Sequence, residues 1–479
     1  MKMNRDAVIK RLKDIVGPDR VLTSQTDLEP YSADMTEAEP HMPDAAVFPL
    51  STQEIVQIVK MANEEKCPLI SSVARTNLGG LTIPERGGLI LDLTRMRKIH
   101  AVNTDEMYIM IEPGTTFQDV KDYLETHHPD LRFSYPLSPP WTGVIANTLL
   151  NGLANLSFRG GTMDQWINCM EVVLPTGEIM KTGSAVLTDI WWGKGPIPDL
   201  GALFYGWQGT TGIVTKMAVE VYPKLPYNER AFILCYRLED GFDLMRTLSR
   251  TLLFDDIGGL SWPTGKMLFG LRENLVKASD EPEFFVYIDY AANTKGELSA
   301  KKKVLNGVLK KAAKRGVEFE NPLDVPTLVR VNPAFEKFAS FPTTLDFLLE
   351  TEAGGLTWVG TYGPTAHWSE VSRKCHAIQE EAGFPPVLVS RPMKLGHYGV
   401  ARFIQIFRKN DPEHRKLVRQ VNEKIFETAL DLGYIPYKAP VWGWDKFLKR
   451  IDPIYRQKME QIKKMLDPNG IMNPGKMRL

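Results

Sequence analysis

Apolar residues at Val8, Ile9, Leu12 and Ile15–Val16 recur at helical spacing and predict a short amphipathic helix over residues 4–16. The stretch "DAAVFPLSTQEIVQIVKMANEEKCPLISS" then reads as strand, helix, strand. Ser51 or Thr52 can cap its helix, and Ile55, Val56, Ile58, Val59 and Ala62 supply the buried stripe. Residues 87–128 read as two strands, a turn at Pro113-Gly114, and a helix from Thr116. "MEVVLPTGEIMKTG" (170–183) predicts a hairpin turning at Pro175–Gly177, and 212–224 a strand closed by Pro223.

The pattern changes after Pro226. Strand-like runs at Phe232–Tyr236, Phe284–Tyr290, Leu356–Thr361 and Arg402–Phe407 alternate with charged helices over 294–315 and 411–432. The last part of the chain predicts a helix over 454–466 and a polar tail, "LDPNGIMNPGK". Three regions follow: 1–225, 226–440 and 441–479. A chain of 479 residues exceeds the size at which one core keeps growing, which agrees with such a division.

Lys+Arg and Asp+Glu both number 58, so the strongly basic footprint of a nucleic-acid-binding protein is missing. Cys67, Cys169, Cys235 and Cys375 form no CxxC pair, so neither a zinc site nor a cysteine-held iron–sulfur cluster is readable. Sparse cysteines fit a reducing compartment. The opening "MKMNRDAVIKRLKDIVG" is charged throughout and unlike a secretory signal; a cytoplasmic location is expected.

"SSVARTNLGG" (71–80) lies between two predicted strands. It is either an ordinary turn or a backbone cradle for a diphosphate. It is neither GxGxxG opening a helix nor GxxxxGK[ST], which disfavours both of those phosphate sites. A second loop rich in small residues, "SPPWTGVIANTLLNGLANLSFRGGTMDQ" (138–165), the strand start Gly212-Ile213-Val214, and "DPNGIMNPGK" (467–476) accompany it.

Taken in order, "ISSVARTNLGG…GGLILDL", "MEVVLPTGEIMKTG", "GIVTK" and "DPNGIMNPGK" resemble the vanillyl-alcohol oxidase and p-cresol methylhydroxylase family. The resemblance covers the N-terminal 225 residues and, less closely, the last 70 or so. It implies an α+β fold: a two-subdomain FAD-binding domain of the p-cresol methylhydroxylase type, an α/β substrate (cap) domain with an antiparallel sheet, and a C-terminal return to the first domain. The cofactor it implies is FAD. Ser72, Val73, Ala74, Arg75, Thr76, Asn77, Leu78, Gly79 and Gly80 would form the pyrophosphate loop. Ser138, Pro139, Thr142, Gly143, Asn147, Gly152, Arg159 and Asp164 would line the flavin or ribityl path. Gly212, Ile213 and Val214 would flank the cofactor, and Asn473 with Lys476 would close the site from the tail. By the residues alone, Asn473 and Lys476 could equally be a helix-ending turn with a solvated lysine.

Some relatives attach the flavin through a histidine of the pyrophosphate loop, which here has neither histidine nor cysteine. Others use a cap-domain His or Tyr. In the matching stretch, "LGHYGVARFIQIFRKNDPE", Val400 and Ala401 fall at that place, with His397 and Tyr398 three residues early. A tightly bound, non-covalent FAD is therefore expected.

"DLGYIPYKAP" (431–440) resembles the family segment in which a Tyr-Arg pair stabilises a substrate phenolate. Tyr437 keeps the phenol, but Lys438 replaces the arginine and offers no planar fork. On residue type alone Lys438 could be a solvated surface side chain. Arg402 interrupts an apolar run, where an unpaired charge is expensive; its partner is either an anionic ligand or a structural carboxylate. Arg391, His397 and Tyr398 are further candidates on the cap strands. Large aromatics at 190–195, 355–368 and 434–447 suit either an apolar cavity wall or core packing. Relatives with an acidic side chain near flavin N5 have Ser138 at that place here. No metal string of the HxGDGNxH type is present, so no metal is expected.

The leading expectation is hydride transfer to flavin N5 from a para-substituted phenol or aromatic alcohol. A 2-hydroxy-acid dehydrogenase of the lactate or glycolate type is the runner-up, and a flavin-carrying electron-transfer subunit with an inactive cap is a third reading. Oxygen, a cytochrome or a quinone would take the electrons; the oligomeric state is open, a homo-oligomer being compatible with the resemblance.

Overall fold

A computed structural model describes residues 4–268, 275–339 and 354–479. Ser51 Oγ accepts from the Glu54 amide at 3.2 Å and starts the helix Thr52–Glu65, whose Ile55, Ile58, Val59, Met61 and Ala62 are buried. Val56 stands at the margin of that stripe. The helix Arg5–Val16 packs its Val8, Leu12 and Val16 into the same core.

Strands β1 (Val21–Leu22), β2 (Ala45–Val47), β3 (Leu69–Ser72) and β4 (Leu89–Asp92) form a first sheet in the order β1-β2-β4-β3. Strands β2, β4 and β3 run parallel, covered on both faces, which is why they read as apolar runs rather than alternating ones.

Next come β5 (Ile99–Asn103), β6 (Tyr108–Ile111), β7 (Leu131–Arg132), β8 (Ile167–Val173), β9 (Ile179–Lys181), β10 (Ile213–Glu220) and β11 (Tyr222–Pro223). Five of them build an antiparallel sheet, β5-β6-β10-β8-β9, while β7 and β11 pair as a ribbon. Residues 87–111 thus hold three strands where the pattern predicted two, because the chain leaves the first sheet after Asp92 and pairs β5 with β6 in the second.

The third sheet contains β12 (Tyr227–Cys235), β13 (Asp256–Ser261), β14 (Phe284–Ala292), β15 (Leu323–Asp324), β16 (Gly354–Gly363), β17 (Val387–Met393), β18 (Tyr398–Arg408) and β19 (Ile435–Pro436). Its order is β15-β12-β14-β13-β17-β18-β16-β19, antiparallel at every described pairing. Helices Leu238–Ser249, Lys295–Lys314, Trp368–Glu381 and Pro412–Asp431 contribute to the largest core on one face. The other face looks towards the first two sheets. Strands β13 and β17 escaped the pattern: one carries Gly258-Gly259 and the other Pro392, residues that weaken a strand signal.

After the helix Pro453–Leu466 the tail returns to the first sheet. The Leu69 amide donates to Ile471 O at 2.7 Å, and the Asn473 amide donates to Leu69 O at 2.8 Å. Among the described residues no helix is long and apolar enough to cross a membrane.

Candidate active site

Where the third sheet faces the first two, a cavity encloses about 1510 Å³, part of it open to solvent. The loop after β3 forms one end. Asn77 Oδ1 accepts from the amides of Gly79 (3.3 Å) and Leu81 (3.1 Å), and Asp34 Oδ2 accepts from Gly80 N at 2.8 Å. These bonds turn the loop tightly and leave Val73, Ala74, Arg75, Thr76 and Asn77 lining the cavity. Gly80 holds φ +67°, a conformation that favours glycine. Arg75 Nη1 donates to Pro30 O at 2.6 Å, and its guanidinium lies 4.4 Å from the Tyr31 ring centre.

The opposite wall comes from Ser138, Thr142, Gly143 and Asn147, and the floor from Gly212, Ile213, Val214 and Asn473. Asn473 Nδ2 donates to Gln208 O (2.8 Å) and Leu81 O (3.2 Å), tying the tail to both loops. Ser138 Oγ, Thr142 Oγ1, Asn473 Oδ1 and Arg402 Nε are buried, line the cavity and have no hydrogen-bond partner within the described chain. Such orphaned groups are costly unless a ligand or water meets them. An elongated polar group with phosphate and ring-edge oxygens and nitrogens fits this set of atoms.

Other residues expected at the cofactor stand outside the lining, each for a visible reason. Leu78 packs on Met267, Leu356, Val387 and Ile404 of the third-sheet region. Gly79 passes so close to the Lys438 carbonyl that a Cβ would lie 2.7 Å from it. Ser72 Oγ is buried and unpartnered at the end of β3, and Pro139 O accepts from the Thr142 amide at 3.0 Å. Gly152 makes room for the Asn147 amide, 2.2 Å from where its Cβ would be. Arg159 is half-exposed and pairs with Asp255 at 2.9 Å, and Asp164 is buried beside Gln165. Lys476 is neither in the cavity nor solvated: its Nζ donates to Gly80 O (2.9 Å), Ile83 O (3.0 Å) and Glu85 (3.1 Å) beneath the loop.

The third sheet supplies the remaining wall. In register, Arg402 on β18 stands opposite Val389 on β17, and Arg391 follows two residues along β17, so both arginines project from one face. Arg402 lies 4.0 Å from the Trp358 ring centre and donates through Nη2 to the Tyr437 hydroxyl. No carboxylate pairs with Arg402 among the described residues. Lys438 Nζ donates to Asn147 Oδ1 at 2.8 Å. Burial, reinforced by the Arg402 charge, pushes the Lys438 ammonium down to about 7. Lys438 is therefore a cavity residue, not a surface one.

Tyr437 faces an adjoining recess, stacked on Tyr362 at 4.4 Å, and that recess meets the main cavity at Lys438. Tyr398 lines the recess as well, edge-on to Tyr362, whereas His397 is exposed on the β17–β18 turn. Of the aromatic segments, Trp358 reaches the cavity and Trp444 the recess. Trp368 is core, stacked on Phe242; Trp191 packs with Tyr108 and Cys169, and Trp192 is exposed.

Sequence reasoning missed Gln208, Leu260 and Tyr287 in the lining. Gln208 Nε2 donates to Ala439 O at 2.8 Å and so positions the segment carrying Tyr437 and Lys438. Tyr287 looked like one more aromatic in an apolar strand. The described residues contain no cluster of His, Cys, Asp and Glu able to hold a metal.

Residues 43–183 match the FAD binding domain model, and residues 364–477 match the model for the C-terminal domain of FAD linked oxidases. The flavoprotein subunit of 4-cresol dehydrogenase (hydroxylating) from Pseudomonas putida is 25% identical, aligned over 98% of this chain and 94% of that one. A D-lactate dehydrogenase from Anaerostipes hadrus is 27% identical over 98% of this chain and 97% of its own. The solved structure of 4-ethylphenol oxidase from Gulosibacter chungangensis in complex with isoeugenol superposes with a TM-score of 0.88 at 19% identity, covering 100% of this chain and 98% of that one. The chain belongs to the FAD-linked oxidases, an FAD-dependent oxidoreductase with the p-cresol methylhydroxylase fold.

Proposed function

We propose that this flavoprotein oxidises a para-substituted phenol, with the acidic oxygen of the substrate held at Arg402. The observation that carries the reading is a buried arginine in the cavity wall whose Nε has no hydrogen-bond partner, and which has no carboxylate beside it, among the described residues. Position 438 lacks the family's arginine, and Arg402 supplies a guanidinium to Tyr437 from β18, across β16, instead. Tyr437 accepts from that guanidinium, which orients it, and Lys438 adds a second cation at the mouth of the recess. Two cations and a tyrosine hydroxyl together favour the ionised form of a phenol over the neutral one.

Bound FAD supplies a two-electron acceptor that takes hydride from the carbon being oxidised. Loop residues Val73 to Asn77 would hold its diphosphate through backbone amides, and Thr142, Asn147, Ile213, Val214 and Asn473 would hold its ring and ribityl portions. Trp358, Leu260 and Val389 exclude water around the aromatic body of the substrate. Ser138 Oγ can pass on a hydrogen bond but cannot act as a strong base.

FAD is held without a covalent bond in this reading. Val400 and Ala401 are fully buried and offer no nucleophile, and the exposed His397 lies outside the cavity lining. A denatured precipitate should be colourless, with the yellow left in the supernatant.

A 2-hydroxy acid is the second reading, favoured by the D-lactate dehydrogenase relative. Turnover of 4-alkylphenols, vanillyl-type alcohols, lactate and glycolate with a dye acceptor separates the two. Activity confined to the acids would overturn the phenol reading.

A further inference from the structure

The wall that carries Arg402 carries a second arginine–tyrosine pair of opposite electrostatic character. Arg391 donates through Nη2 to the Tyr287 hydroxyl, and Gly258 on β13 makes the space: a Cβ there would lie 2.5 Å from that oxygen. Gly360 does the same for Tyr437, whose ring would lie 2.9 Å from its Cβ. Both arginines and Tyr287 line the cavity. Positions 391 and 402 are diagonal neighbours on adjacent strands, about 7–8 Å apart, so the two pairs share one stretch of the cavity wall.

The two pairs differ in charge. Arg391 bonds Asp256 Oδ2 at 3.0 Å and also the Ala154 carbonyl. Asp256 faces Asp289 across β13 and β14, and Asp289 is paired with Arg230, so Arg391 shares its surroundings with carboxylates. The Tyr287 hydroxyl accepts from Arg391, and its own proton has no acceptor among the described residues. It can donate into the cavity from a site where the guanidinium already has a carboxylate partner. Arg402, by contrast, has no carboxylate partner among the described residues.

We infer that Tyr287, oriented by the Arg391–Asp256 pair, is a second substrate station that donates a hydrogen bond to a neutral oxygen on the side chain of the phenol. The inference rests on the phenol reading above and narrows it to phenols with a hydroxyl, ether or carbonyl oxygen beyond the benzylic carbon. A carboxylate gains less at a station where Asp256 already pairs with the guanidinium. A buried donor left unpaired penalises the analogue without that oxygen.

The test titrates the holoenzyme anaerobically with 4-ethylphenol and with 2-(4-hydroxyphenyl)ethanol, which differ by one terminal hydroxyl, and reads perturbation of the flavin visible band before reduction. The wild type should bind the alcohol about tenfold more tightly. Tyr287→Phe, which keeps the ring, should abolish that preference, and Asp256→Asn should shift selectivity towards 4-hydroxyphenylacetate. Equal binding of the two ligands by the wild type, or a preference that survives Tyr287→Phe, overturns this inference and leaves the phenol reading standing. If neither phenol perturbs the flavin, the phenol reading falls, and this inference with it.

Discussion

Lys438 Nζ donates to Asn147 Oδ1 at 2.8 Å, joining segments 291 residues apart. One partner sits on the helix Val144–Leu149 beside the FAD cavity, the other in the segment after β19. The bond fixes a cation at the boundary between cofactor and cap, within the influence of Arg402.

That placement has a pH signature. Lys438 ordinarily titrates near 10.5 and is pushed down to about 7, so it is charged on the acid side and neutral above. Affinity for an anion at this pole should fall as pH rises through about 7. Benzoate, ionised throughout, serves as probe: its Kd should rise several-fold between about pH 6 and 9, and Lys438→Gln should remove the dependence.

Gly79 tests the contact between loop and cap. A Cβ there would meet the Lys438 carbonyl at 2.7 Å, and backbone cannot move aside as a side chain tip can. Gly79→Ala should cost about 1–3 kcal/mol of stability and lower the FAD content of purified protein, read as the ratio of visible to ultraviolet absorbance. Gly193→Ala, with nothing within 4 Å, should be silent by both measures.

Arg402→Met should reduce kcat/KM for a phenol by about 100-fold, since a hydrogen bond to a charged group is worth about 1.5–3 kcal/mol. Trp358→Leu should have a smaller effect, about 1 kcal/mol, through loss of the stacking under the guanidinium. Steady-state kinetics with flavin content held equal distinguishes them.

Much of this site was legible in the sequence because loops carry chemistry in contiguous letters. "VARTN" and "GIV" line the cavity as a run, and Ser51 capped its helix as its position suggested. What was not legible depends on tertiary packing. Lys476 reads as a solvated tail lysine, yet folding draws it under the loop to satisfy two carbonyls. Arg159 reads as a cofactor cation but finds Asp255. Tyr287 and Asp256 become site-related only when β13 and β14 pair, and Gly258, which lets Tyr287 lie against the sheet, disguises β13 as a loop.

The tail has its own test. Lys463 Nζ donates to Thr210 O (2.6 Å) and Met472 O (3.1 Å) and pairs with the buried Asp467. Lys463→Met leaves that carboxylate without its cation and should destabilise the fold by about 3 kcal/mol, seen as a lowered denaturant midpoint. Because Asn473 follows directly, FAD should also dissociate faster.

The most direct test of the account mixes holoenzyme anaerobically with 4-ethylphenol and, in parallel, with D-lactate, and follows the flavin visible band. An uncompensated Arg402 beside Tyr437 predicts bleaching by the phenol and none by the acid. Bleaching by D-lactate with an unchanged spectrum in the phenol would contradict it.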